Sequence, residues 1–283
     1  MKKLLANSAI RLGSIALGLM ICLAIAAPLL GTVDPAQMDA SNINTAAGTS
    51  GVFNGAVHTF WMGADSLGRD IYSRVLFGAR VSLLVGISTA MLAILLGTFL
   101  GMLTGYFKAV DMVLMRVMDG LMAIPAVLLA IALVAALGPK LWTVVVAIAI
   151  PEIPRVTRLV RSLVLGLREE PYIEAAKALA TPVPTILWRH ILPNSLAPLL
   201  VQGTFVAASA VLTEAILSFL GLGLPADIPT WGNIMAEGRV QFAQYPGNVL
   251  FPALFLVPTV LAINMLGDGL RDVLDPKFAK RSN

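Results

Sequence analysis

The sequence predicts an all-α membrane protein, and three of its features carry that prediction. Hydrophobic residues make up 58% of the 283 residues, and charged residues make up only 13%. Soluble domains typically contain about 45–50% apolar and about 25% charged residues. Several uncharged runs reach the roughly 20 residues that a helix needs to cross a bilayer. The lysines and arginines are also concentrated in alternate loops, which is the distribution that membrane topology produces.

About six segments are long and apolar enough to be transmembrane helices. They lie at residues 10–30, 81–106, 114–137, 141–164, 196–222 and 249–270. The fourth is the least regular, since Pro151, Glu152 and Pro154 interrupt it. The first is expected to be a retained helix, because its uncharged run is longer than the ~7–15 residues of a signal-peptide core.

The positions of the basic residues predict the orientation. If the N-terminus is cytoplasmic, fifteen of the twenty lysines and arginines lie in or near cytoplasmic segments, and so does the C-terminus. The net charge of +4 is therefore explained by topology. No basic patch with interleaved aromatic residues indicates nucleic acid binding. One cysteine, Cys22, and two histidines provide no cluster that indicates a metal site.

The chain is expected to divide into residues 1–80, an N-terminal helix with an outer segment, and residues 81–283, a core of five spans. In the outer segment, Ile71, Val75 and Ala79 recur at i,i+4 spacing, which predicts a helix over residues 68–80 lying at the membrane interface. Trp61 and Trp231 are interpreted first as interfacial anchors.

The longest cytoplasmic stretch contains a pair of short helices within residues 168–193. Pro171 suits a helix start, and the residues that follow are good helix formers. Thr181 and Pro182 predict the start of a second short helix, over residues 185–191. Two short helices at a membrane face can dock into a groove of another protein. An ordinary amphipathic connector is the alternative.

At these residues the sequence resembles the permeases of ABC importers. Within them it is similar to the second permease subunit of the dipeptide, oligopeptide and nickel group. The run EAA and the later HILPN resemble the family's cytoplasmic loop, and further matches lie in the outer segments and at the C-terminus. These motifs occupy residues 174–176, 190–194, 63–70, 217–223, 231–233 and 267–272. One position departs from the family pattern: Ala180 stands where the family has Gly, which leaves the shape of the turn between the two helices open.

The resemblance implies a type I ABC importer permease in the bacterial inner membrane. Implied partners are a second, homologous permease, one or two ATP-binding subunits, a periplasmic binding protein and membrane lipid. This chain is then not an enzyme and holds no cofactor, because ATP and magnesium bind the partner subunits. In agreement, none of its seven lysines follows a glycine, so a Gly-Lys-Ser/Thr phosphate loop is excluded.

The same resemblance assigns two sets of contact residues. The ATPase-coupling set is Glu174, Ala175, Ala176, Ala180, His190, Leu192 and Pro193. The set expected to contact the binding protein is Asp65, Arg69, Asp70 and Trp231.

Two acidic residues lie within predicted spans. Glu214 is interpreted as hydrogen-bonded to another helix, with a solute contact as the alternative. Glu152, between two prolines, indicates either a broken helix that exposes backbone to the solute or a simple kink. Asp119 is expected to pair with Arg116 at i,i+3 spacing.

Other classes of function are disfavoured. A stand-alone secondary transporter or channel would leave the EAA loop without a role. A membrane-embedded serine protease is excluded because His58 and His190 both lie outside the spans. The solute is left open among peptides, nickel chelates, glutathione and sugars, with peptides favoured as the commonest assignment in the family.

Overall fold

The computed structural model describes residues 7–274, and these form a helical bundle with one small β-hairpin. The helices are α1 Ser8–Ala26, α2 Ile71–Tyr106, α3 Lys108–Ala123, α4 Ala126–Leu137, α5 Leu141–Leu167, α6 Pro171–Ala178, α7 Val183–Phe219, α8 Trp231–Gly238 and α9 Gly247–Leu274. The strands are β1 Thr49–Phe53 and β2 Ala56–Phe60.

Within the described part of the chain, four helices are long and apolar enough to cross a membrane, namely α1 with its short extension, α2, α7 and α9. A fifth span results if α3 and α4, which are bent by 92°, count as one. The remaining predicted span is α5, whose length of 27 residues suffices. From Glu152 onward it carries charged residues, among them Arg155, so it falls outside the apolar set.

The third predicted span is not one continuous helix. The chain turns at Ile124 and Pro125, between α3 and α4. Ile124 is extended, with φ −91° and ψ 129°. The ring of a proline disfavours the helical conformation in the residue before it, which explains the break. The prediction of one helix over residues 114–137 is therefore wrong in shape.

The core of the bundle is the close contact between α2 and α5. Three glycines on one face of α2, Gly97, Gly101 and Gly105, lie against valines of α5. A Cβ added at any of the three would be 2.5 Å from a valine Cβ. Small residues let helix backbones approach closely in a membrane, where dispersion forces between helices replace the hydrophobic effect.

The outer segment contains a β-hairpin that the helical prediction did not include. Strands β1 and β2 pair antiparallel, with Phe53 opposite Ala56 and Thr49 opposite Phe60. The two residues between them are Asn54 and Gly55, whose φ angles are +55° and +78°. An Asn-Gly pair with both φ angles positive is the turn that best matches the twist of two short strands.

Residues 68–80 do not form a separate interfacial helix. α2 begins at Ile71 and continues without interruption to Tyr106. Ile71, Val75 and Ala79 are at most 1% exposed, because they pack against α7, α8 and α9 in one apolar cluster. The sequence located the apolar face correctly, but this face packs against other helices and does not lie at the membrane interface. The expected boundary between residues 80 and 81 falls inside this helix.

Candidate functional site

The short helix α6 is anchored to the bundle by its apolar side. Ile173 is fully buried and Ala176 is 8% exposed. Both belong to a cluster with residues from α2, α5 and α7, including Val160 and Ile191. On the opposite side, Glu174 is exposed to solvent. The position of α6 is thus fixed by burial while its charged face stays available.

The residues predicted for ATPase coupling divide into exposed and buried ones. Glu174, Ala175, Ala180 and Pro193 are exposed, His190 and Leu192 are half-buried, and Ala176 is buried. Beside them, Leu179 is 81% exposed at the end of α6. The loop thus presents both apolar and charged side chains to its surroundings. The coupling role itself stays a prediction.

The turn after α6 has the shape that a glycine would give. Ala180 has φ +55°, in the left-handed region. Thr181 donates its N–H to the carbonyl of Ala176 at 3.0 Å, and Ala180 donates to Lys177 at 2.9 Å. These two bonds form a Schellman motif, which closes a helix with a left-handed residue. Alanine adopts this conformation at a cost of about 1–2 kcal/mol.

The second short helix of the loop is continuous with α7. It was expected to end near residue 191, but the helix runs from Val183 to Phe219. Residues Ile186–Ile191 form a π turn, in which Leu192 donates its N–H to Leu187. Pro193 follows directly. A proline removes one helical hydrogen bond and crowds the carbonyl four residues earlier, and the wider π turn relieves that crowding.

At the other end of α2, two buried arginines form an ion cluster with two carboxylates. Arg69 Nε lies 2.7 Å from Asp65 Oδ2, and Arg69 Nη2 also contacts Glu237 of α8. Arg74 Nη2 is 3.3 Å from the same Glu237 carboxylate. Burial raises the pKa of Glu237, and the two arginines oppose that rise. The cluster ties the segment before α2 to α8.

Asp70 fixes the first turn of α2. Its carboxylate accepts a hydrogen bond from the N–H of Ser73 at 2.8 Å, which caps the helix. Asp70 is fully buried, and this burial raises the pKa of its carboxyl group. His58 of β2 lies 3.6 Å from the other carboxylate oxygen, so the hairpin contacts the helix start.

Trp231 is not an interfacial anchor. It is fully buried, and its Nε1 donates a hydrogen bond to the carbonyl of Val75 at 3.2 Å. Trp61, by contrast, is 64% exposed. The four residues predicted to contact a binding protein are all buried in this chain, at 0–4% exposure: Asp65, Arg69, Asp70 and Trp231. Their side chains hold the outer segment together, and the surface open to a partner comes from their neighbours.

Glu214 joins two helices. It is fully buried in α7 and accepts a hydrogen bond from Ser82 of α2 at 3.3 Å. Ser218, one turn later in α7, donates to the other carboxylate oxygen at 2.7 Å. Both oxygens of the carboxylate therefore have a partner, as a buried polar group requires. This geometry is the interhelical hydrogen bond that the sequence favoured over a solute contact.

Glu152 does not mark a broken helix. α5 is continuous through Pro151 and Pro154. The Glu152 carboxylate accepts a hydrogen bond from Arg155 Nη1 at 3.0 Å and another from Ser209 of α7 at 3.3 Å. Of the two alternatives that the sequence left open, the broken helix with exposed backbone is not what the structure shows, and a buried polar group lies at mid-helix.

Asp119 pairs with a partner on another helix and not with Arg116. Arg158 of α5 donates from Nη2 to the Asp119 carboxylate at 2.6 Å. One turn further along α5, Arg161 contacts Asp111 of α3 through Nη2 at 2.7 Å. The i,i+3 pairing was a wrong prediction, because the acidic face of α3 lies along the basic face of α5.

Two features were missed by the sequence reasoning. The arginines Arg155, Arg158 and Arg161 were counted only as a topology signal, although their three-residue spacing places them along one side of a helix. The glycines of α2 at residues 97, 101 and 105 were not singled out, although glycine at every fourth position is a known signal for close helix packing.

Comparison with known proteins agrees with the motifs. Residues 93–280 match the family model described as binding-protein-dependent transport system inner membrane component. The dipeptide transport system permease protein DppC of Alkalihalophilus pseudofirmus is 44% identical, over 98% of this chain and 88% of that protein. A probable peptide ABC transporter permease of Sinorhizobium fredii is 50% identical, over 79% of this chain and 77% of that protein.

A third relative is named for a different solute. The glutathione transport system permease protein GsiD of Pectobacterium atrosepticum is 47% identical, over 77% of this chain and 73% of that protein. Matches of this extent, with the apolar helices described above, establish the family. The chain belongs to the binding-protein-dependent transport system inner membrane components, and it is a multi-pass permease subunit of an ABC importer.

Proposed function

We propose that this permease imports di- or oligopeptides, or a closely related small solute, across the bacterial inner membrane. The names of relatives support the solute class, since they include dipeptide, oligopeptide and glutathione transport systems. The chain forms half of the translocation pathway, and a second, homologous permease forms the other half. A periplasmic binding protein delivers the solute to the end of the bundle that carries the hairpin.

The proposed topology has six spans with both termini cytoplasmic. Four long apolar helices, the bent pair of α3 and α4, and α5 supply them. The charges of α5 are partly neutralised by carboxylates of α3, as in the pair of Arg161 with Asp111. An apolar groove of about 550 Å³ lies among α1, α2, α7 and α9. Such a surface suits membrane lipid.

The observation that supports the mechanism is the packing of α6 against the helical bundle. Its buried side joins the cluster shared by α2, α5 and α7, while Glu174 points outward. A separate ATP-binding subunit, which holds ATP and magnesium, docks on this exposed face. Because α6 is packed against three long helices, a movement of α6 is transmitted to them directly. The permease then alternates between inward-open and outward-open states, each favoured by a different partner.

The test is co-purification of the ATP-binding subunits. The permease is tagged, extracted from native membranes in mild detergent and analysed by mass spectrometry, alongside a Glu174→Lys variant. We expect the wild type to retain both a second permease and the ATP-binding subunits. The variant is expected to lose the ATP-binding subunits, because the charge on the docking face is reversed.

Asp227→Lys is the matched control, since Asp227 is also an exposed carboxylate but lies in the segment before α8. That variant should retain the ATP-binding subunits like the wild type. If the wild type purifies alone, or if the Glu174 variant keeps its ATP-binding subunits, the docking argument is wrong. A stand-alone transporter would then be the better explanation.

A further inference from the structure

The middle of α5 presents a half-exposed arginine beside a buried carboxylate. The side chain of Arg155 is 56% exposed, whereas that of Glu152 is only 6% exposed. Glu152 is held on both sides, by Arg155 Nη1 and by Ser209 of α7. Among residues 7–274, Arg155 donates hydrogen bonds only through Nη1. Its remaining N–H groups have no hydrogen-bond partner among the described residues, and the side chain is more than half exposed.

The position of Arg155 along α5 limits what can surround its charged side chain. It lies about halfway along the 27 residues of α5, roughly 20 Å from either end at 1.5 Å per residue. In the proposed six-span topology, an exposed charge at this position would be costly against lipid, so such a residue faces a water-filled cavity or a partner within the bundle.

A groove lies beside the next turn of α5. It has a volume of about 420 Å³ and lies between α5, α7 and α9. Gln202 and Phe205 of α7 line it, with Leu159 of α5 and Arg271 of α9. Ser209 is the next residue on that side of α7, and it bonds to Glu152. Leu159 lies one turn from Arg155 and Ser209 one turn from Phe205, so the groove borders the pair of Arg155 and Glu152.

The exposed part of this ion pair is the guanidinium of Arg155. The charge of Glu152 is enclosed, and its oxygens are occupied by Arg155 and Ser209. The next arginine along α5, Arg158, is paired with an exposed carboxylate, Asp119. Of these two arginines, Arg155 is therefore the one whose carboxylate partner is buried. A planar guanidinium matches a carboxylate well, because it can donate two parallel hydrogen bonds.

We propose that Arg155 lines the solute pathway and binds a carboxylate of the solute in transit, with Glu152 and Ser209 as positioning residues. For a peptide, that group is the C-terminal carboxylate. The proposal rests on the proposed import function, and it adds a contact within the permease that helps to select solutes independently of the binding protein.

The first test measures whether water reaches this position. In a Cys22→Ser background, which removes the single cysteine, Arg155→Cys and Leu254→Cys are introduced into the complete transporter in membrane vesicles. Leu254 is the control, because it is 64% exposed on the apolar surface of α9. A membrane-impermeant thiol reagent should modify the cysteine at 155 and should not modify the one at 254. A cysteine at 155 that stays unmodified overturns the proposal, whichever solute is carried.

The second test measures the charge preference. Uptake of trialanine and of its C-terminal amide is compared in cells that express the complete transporter, at concentrations that saturate the binding protein. Loss of one charge-assisted hydrogen bond predicts a decrease of about tenfold or more in trialanine uptake by Arg155→Gln. Arg155→Lys should retain part of the rate, because it keeps the charge. Uptake of the amide should change little.

The exposed Arg11 of α1 supplies the control for removing a charge. Arg11→Gln should import both peptides like the wild type. Equal decreases for both peptides in Arg155→Gln, or no decrease, would contradict the carboxylate contact. If the proposed import of peptides is wrong, the result is different. The wild type itself would then import neither peptide, while the cysteine at 155 would still report whether water reaches this position.

Discussion

The contact between α2 and α5 is tight enough that one added methyl group should be measurable. Gly101→Ala places a Cβ 2.5 Å from the Cβ of Val160 and 2.8 Å from the carbonyl oxygen of Thr157. Carbon atoms in ordinary contact are about 3.5–4.0 Å apart. One of the two groups is backbone, so the helices have to separate by about 1 Å for the methyl group to fit.

The expected cost follows from the kind of contact. Overpacking a close-packed interior typically costs about 1–3 kcal/mol. Separation of the helices would also loosen the neighbouring contacts of Gly97 and Gly105, which are equally close. We therefore expect Gly101→Ala to destabilise the bundle by about 2–3 kcal/mol. Val160→Ala should not restore stability in the double variant, because the closest contact is with the valine Cβ, which alanine keeps.

The assay is thermal unfolding of the purified permease in detergent, followed by circular dichroism. Gly120→Ala in α3 is the matched control, since a Cβ there meets no atom within 4 Å. That change should stabilise by about 0.4–1 kcal/mol, because alanine loses less backbone entropy on folding. If Gly101→Ala unfolds at or above the wild-type temperature, α2 and α5 are not in the close contact described.

Three other substitutions test separate elements, each by the same unfolding assay. Ala180→Gly should stabilise by about 1 kcal/mol, because glycine adopts the left-handed conformation without steric cost. Trp231→Phe should destabilise by about 1–3 kcal/mol, since the carbonyl of Val75 loses its donor and a void remains. Arg69→Ala should cost about 3–5 kcal/mol, because it leaves the buried side of Glu237 with a weaker partner. A change of less than about 0.5 kcal/mol in any of these would contradict the contact concerned.

The elements predicted best from the sequence are those that depend on local pattern. Long uncharged runs predicted α1, α2, α7 and α9 to within a few residues at most ends. The helix α6 was also predicted, since Pro171 and the residues after it favour a helix. In each case the composition of a single segment determines its structure, so neighbouring segments are not needed for the prediction.

The wrong predictions concern what surrounds a side chain in the folded protein. Trp231 and the apolar face of residues 71–79 could lie against lipid or against protein, and only the packing of α8 on α2 decides between the two. Asp119 had one candidate partner on its own helix and another on α5, and the sequence does not show that α3 and α5 are adjacent. The hairpin, by contrast, had a local signal in Asn54 and Gly55 that the helical interpretation passed over.

The length of α2 has a mechanical consequence. Its 36 residues extend about 54 Å at 1.5 Å per residue, well beyond a hydrocarbon core of about 30 Å. One end bears Arg74 and its ion cluster, and the other bears Gly105 against α5. A helix of this length transmits a displacement at one end to the other end by moving as a whole. Because valines of α5 fit closely against the glycines of α2, a displacement of α2 is passed on to α5 as well.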